Sequence, residues 1–143
     1  MFVAIDEVKR RALFRTVSAS ISDAQWGFYT ETFERLGKLR TGPPLALVCL
    51  SETGSALPNA RWRKQFADTA RDLRPDTVFV LVSASSMARG IVTAVNWIRP
   101  FGFHHTVTAT WEEAVAYLAR FDRSPTLPSE MEALRAALAH VPA

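Results

Sequence analysis

At 143 residues, 48% of them hydrophobic, the chain has the length and apolar content for one domain with a single core. Charged residues at 22% exclude a disordered composition, and no apolar run approaches the ~20 residues of a membrane-spanning helix. The net charge of +3 comes from 17 basic and 14 acidic residues interleaved along the chain, a pattern without the clustered basic face of a nucleic-acid binder.

Cys49 is the single cysteine, which excludes an internal disulfide and a multi-cysteine metal site. The start, Met1-Phe2-Val3-Ala4-Ile5-Asp6, has no basic region ahead of an apolar stretch and does not read as a signal peptide. A reducing cytoplasmic setting is the expectation. Only Lys9, Lys38 and Lys64 are lysines, so the basic side is arginine, which suits bidentate contacts.

The elements follow in chain order. Phe2 to Glu7 and Ala12 to Ala19 are β-favouring runs, and Lys9-Arg10-Arg11 between them reads as a polar hairpin tip. Ser22-Asp23-Ala24-Gln25 fits a capping box, and the helix after it sets Trp26, Tyr29, Phe33 and Leu36 on one face. Gly42-Pro43-Pro44 stops it, and Leu45 to Leu50 reads as a strand covered on both faces.

After a polar loop at 51–57, Pro58 opens a second helix with Trp62, Phe66, Ala70 and Leu73 inward and Lys64 paired with Asp68 outward. Thr77 to Val82 is a second buried strand. Ser83 to Ser86 leads into a third helix with Met87, Ile91, Val95 and Ile98 on its apolar side, closed by Pro100. Phe103 to Thr108 is a last strand, and Thr110-Trp111-Glu112-Glu113 a second capping box. Its helix carries Trp111, Leu118 and Phe121. Residues 124–128 form a linker, and Ser129 caps a tail helix in which Met131, Leu134, Leu138 and Val141 recur at helical spacing. Docking of that helix on its own domain is expected, with dimerisation through it as the alternative.

Strands alternating with helices predict an α/β fold: a mixed, mostly parallel sheet of four to five strands, with an N-terminal hairpin and helices packed on it. One α/β domain is expected over residues 1–123, followed by a linker and C-terminal helix over 124–143.

The stretch from Thr106 to Leu118 runs from a strand through Ala109-Thr110-Trp111-Glu112-Glu113-Ala114 into a helix ending in Tyr117-Leu118. With the element order over residues 2–121, it resembles the STAS domain of bacterial anti-sigma-factor antagonists. The likeness is greatest to the SpoIIAA-like branch, sometimes grouped with Sec14-type lipid-binding domains. That resemblance implies a small, non-enzymatic bacterial regulatory or scaffolding module acting through protein contacts. Members that act as sigma regulators carry an Asp-Ser-Ser/Thr-Gly phosphorylation box. Here the matching stretch is Leu50-Ser51-Glu52-Thr53-Gly54-Ser55, which keeps Thr53-Gly54 and lacks the Asp-Ser pair.

Three groups of residues are candidates for binding. The loops at the carboxyl ends of the inner strands offer Ser51, Thr53 and Ser55, and Ser83, Ser85, Ser86 and Arg89; hydroxyls and free amides at a helix start suit an anion, and ordinary N-capping by Ser85 or Ser86 is the structural alternative. Trp97, Phe101 and Phe103 flank Pro100 and Gly102 and suit a partner surface or an apolar mouth, with core packing as the alternative. The tail helix is the third.

Catalysis would require Glu52, His104 or His105, and Arg89 to converge. His104 and His105 are adjacent in a strand and point to opposite faces. Cys49 lies within an apolar strand and reads as a core residue. No catalytic set, cofactor or metal site is expected. The expected partners are a protein or a second copy of the chain, with a lipid or an anion as the alternative ligand.

Overall fold

The computed structural model describes residues 2–139. Five strands form one mixed sheet in the order β1-β2-β3-β4-β5: β1 (Phe2–Asp6), β2 (Arg11–Thr16), β3 (Ala46–Ser51), β4 (Val78–Val82) and β5 (His104–Thr108). β1 and β2 pair antiparallel as a hairpin, and the remaining pairs are parallel. The helices are α1 (Asp23–Gly37), α2 (Ala60–Ala70), α3 (Ser86–Ile98), α4 (Trp111–Phe121) and α5 (Leu127–Leu138).

Each parallel strand is the neighbour of the one before it, so successive right-handed crossovers keep α1, α2 and α3 on one side of the sheet. α4 and α5 cover the other side. Leu13, Val48 and Val80 lie in one cross-strand row and pack with Leu118 of α4 and with Leu127 and Met131 of α5. Phe14, Leu47 and Cys49 face the opposite way, against Tyr29, Phe33 and Leu36 of α1. β2 and β3 are buried on both faces, which is why Leu45 to Cys49 reads as an unbroken apolar run. Phe14, Tyr29 and Phe33 form a contiguous aromatic cluster with centroids 4.5 to 5.2 Å apart.

Several local expectations hold. Ser22 and Gln25 make both halves of a capping box, and Trp26, Tyr29, Phe33 and Leu36 are buried. Of the tail helix, Met131, Leu134 and Leu138 enter the core beneath β1 and β2, joined by Leu127 from the stretch expected to be linker; Val141 lies outside the described residues.

Others are corrected. The hairpin turn is 7–10, and of the supposed polar tip only Lys9 is exposed. Arg10 has a φ of 62° and is buried, and Arg11 opens β2 with 2% exposure. The Arg11 guanidinium meets Asp122 at 2.8 Å and Glu130 at 3.1 Å, and donates to the carbonyls of Arg10 and Pro44. It therefore pins the end of α4 and the start of α5 to the sheet. Pro58 does not open α2: the Asn59 side chain accepts from the Trp62 amide, and the helix starts at Ala60. Asp68 pairs with Arg99 at 3.2 Å and makes no ion pair with Lys64.

Thr110 accepts from the Glu113 amide, but the Glu113 carboxylate turns to the Thr110 hydroxyl, so only half of that box forms. α5 starts at Leu127, two residues ahead of Ser129, with Pro128 in its first turn, where proline sacrifices no hydrogen bond.

The largest correction concerns α3. Its inward residues are Ala88 and Val95, with Ile91 and Val92 half-buried. Met87 and Ile98, expected inward, are 71% and 47% exposed. No helix among the described residues is long and apolar enough to cross a membrane.

Candidate functional site

The sequence-selected residues do not share one site. In open α/β sheets a crevice opens at the carboxyl edge where the strand order reverses and neighbouring helices diverge to opposite faces. Here the order runs from one to five without reversal, so the fold creates no such crevice.

The loop after β3 is instead tied down. The Glu52 amide donates to the Thr16 carbonyl and the Ala56 amide to the Ser18 carbonyl. A turn closes from the Ser55 amide to the Glu52 carbonyl, with Gly54 at its third position and a φ of 79°, a value that favours glycine. Ser51 and Ser55 bond each other at 2.8 Å, and Thr53 points to solvent.

After β4, the buried Ser83 hydroxyl accepts from the Ser85 amide. Ser85 is the N-cap of α3 without a side-chain cap bond, while Ser86 and Arg89 are exposed. Glu52 pairs with Arg15 at 3.1 Å at the carboxyl end of the sheet. His104 and His105 pair with Val78 and Phe79 at its amino end. Across the length of β4 the ends of that set are roughly 13 Å apart, so Glu52 and the histidines do not converge. The histidines do face opposite ways, His104 stacking on Phe121 at 3.9 Å and His105 meeting Phe101 edge-on at 4.7 Å. Among the described residues, no group of three or more His, Cys, Asp or Glu is placed to hold a metal ion.

What the helix layer frames is apolar. A half-open cavity of about 120 Å³ lies between the sheet and α1, α2 and α3. Its floor is Cys49, Phe79 and Leu81, its walls include Tyr29, Phe66 and Phe103, and Ile91 and Val92 of α3 form its roof. The sheet itself records the gap. On β4, the residues facing α4 (Val78, Val80 and Val82) are at most 3% exposed, whereas Phe79 and Leu81 beneath α3 are only half-buried. Of the residues selected from sequence, Ser51, Phe101 and Phe103 line this cavity.

The aromatic trio is thereby divided. Phe101 and Phe103 stack at 5.1 Å inside, and Trp97 stands 80% exposed on the outside of α3. Compared with family models, with curated proteins and with solved structures, the chain has no match.

Two polar groups of the cavity wall satisfy each other. The Tyr29 hydroxyl and the Cys49 sulfur share a hydrogen bond of 2.7 Å. Burial raises the Cys49 thiol from its ordinary 9.0 to about 12, against a smaller downward pull from the Tyr29 bond. Burial likewise raises Tyr29 well above its ordinary value, and proximity to Cys49 adds to the rise. Cys49 is therefore a neutral thiol at physiological pH and not a thiolate nucleophile.

A stability consequence follows. Native Cys49 holds its proton where the unfolded chain releases it, so its contribution is full below pH 9 and is lost as the pH rises towards 12. Chemical denaturation from pH 8 upward should show stability falling through this window. Cys49→Ala should flatten the slope by up to ~1.4 kcal/mol per pH unit, since one proton fewer is released on unfolding. An unchanged slope would show that Cys49 titrates normally in the folded protein.

Proposed function

We propose that the chain is a non-catalytic regulatory or scaffolding module that works by protein–protein contact, in the first place with a second copy of itself through α3. The observation that carries this is the outer face of α3. Met87, Gly90, Ala94, Trp97 and Ile98 recur at three- and four-residue spacing, so they share one side of the helix. That side carries no charge, and its large members are among the most exposed hydrophobic side chains of the protein. Isolated exposed apolar residues need no explanation, but an aligned set including an 80% exposed tryptophan marks a contact surface.

The stripe is self-complementary. Bulk sits at its two ends and small residues in its middle. Antiparallel pairing about a two-fold axis near Thr93 brings Met87 towards Ile98 of the second copy. The same axis sets Trp97 over Gly90, where an added Cβ would meet nothing within 4 Å. A single helix face is small for an interface, so the association is expected to depend on concentration. The resemblance to STAS modules points the same way, towards binding without chemistry.

Sedimentation velocity over a concentration series tests this. The wild-type chain should move from monomer to dimer. Trp97→Asp should raise the dissociation constant by at least ~30-fold, the weight of an interfacial hot spot. Its far-UV spectrum should not change, because Trp97 contributes nothing to the core. A monomer at every concentration would end the self-association reading.

A further inference from the structure

We infer that the cavity beneath α3 is a binding site for a compact apolar molecule, an aromatic ring or short branched hydrocarbon of about six to nine non-hydrogen atoms. Three observations support this independently of how α3 meets a partner.

The first is size. At about 120 Å³ the space is close to the ~150 Å³ of an engineered apolar cavity that stays dry and admits benzene, and far below what a lipid tail or a peptide helix needs.

The second is lining. Water entering such a space needs two to four polar partners. On the wall Tyr29 pairs with Cys49 and Ser51 with Ser55; the Thr16 hydroxyl and the Trp26 indole N–H are the other polar side-chain groups, and the rest of the interior is ring and aliphatic surface. Tyr29, Phe66 and Phe103 offer faces and edges against which a ring packs at 4.5–7 Å.

The third is access. Packed interiors leave few voids, and β4 is sealed to 3% or less under α4. Beneath α3 the same strand leaves Phe79 and Leu81 only partly buried. The roof helix packs along α2, and its inward face is the small Ala88 with Val92 and Val95. Larger side chains at those positions would have closed the gap.

The test uses the full chain with toluene and indole as probes. In ¹H–¹³C spectra, intermolecular NOEs from the toluene methyl should fall on Leu81, Val92 and Phe103. Saturating probe should raise the unfolding temperature by about 3–5 °C. Val92→Trp, which fills the space from the roof, should abolish the shift, whereas Trp97→Ala on the outer face should leave it intact. The inference is overturned if neither probe yields NOEs to the cavity wall in the wild-type protein. It is equally overturned if Trp97→Ala removes the response, since the probes would then be coating the outer stripe. The NOE measurement does not depend on any variant folding. It also stands apart from self-association, because a monomer can bind toluene and a dimer can fail to.

Discussion

Replacing Arg11 with Ala should destabilise the protein by about 3–5 kcal/mol, measured by urea denaturation at neutral pH. The guanidinium is 2% exposed and touches two carboxylates that are themselves nearly buried, Asp122 and Glu130. Removing it leaves two negative charges facing each other without compensation, and two carbonyl groups, of Arg10 and Pro44, without that donor. The sign depends on which partner is changed. Arg11→Met together with Asp122→Asn and Glu130→Gln removes the charges as a set and should restore much of the loss, because desolvating a buried ion pair offsets most of its attraction. Lys at position 11 should recover only part, since one ammonium cannot span both carboxylates as the planar fork does. A loss below 1 kcal/mol for Arg11→Ala would mean that water reaches the carboxylates.

Truncation after Arg123 should abolish cooperative folding. The removed segment contributes Leu127, Met131, Leu134 and Leu138, all less than 9% exposed, to the core under β1 and β2. At about 1.5–3 kcal/mol for each buried side chain, their loss amounts to roughly 6–12 kcal/mol, as much as a domain's whole stability. It also strips Glu130 from Arg11. Amide spectra of residues 1–123 should collapse to the narrow dispersion of an unfolded chain. A well-dispersed spectrum would show that the five strands and first four helices stand without α5.

The alternation of strand and helix was legible because each signal is local. Buried strands are unbroken apolar runs, α1 carries its capping box, and prolines and glycines fall between the elements. The inward face of α3 is not legible in the sequence, for a physical reason. Met87, Ile91, Val92, Ala94, Val95, Trp97 and Ile98 spread apolar character over most of its circumference, so periodicity alone could not say which arc turns inward. The small Ala88 decides it, as the fully buried residue of the helix.

Arg10 and Arg11 were misread because charge normally signals solvent, and the residue that neutralises Arg11 from α5 lies 119 positions away. The cavity had no linear signature at all. It is assembled from seven separate stretches of chain, and among its residues only Ser51, Phe101 and Phe103 are binding candidates in the sequence.

The clasp between β2 and α5 also sets a timetable for biosynthesis. At 5–20 residues per second, a ribosome needs roughly 6–24 s to travel from codon 11 to codon 130. Throughout that interval the apolar underside of the first hairpin is synthesised but bare. The strands are all made before α5, but the underside of β1 and β2 has no cover until α5 follows. That face is closed only when α5 docks on it.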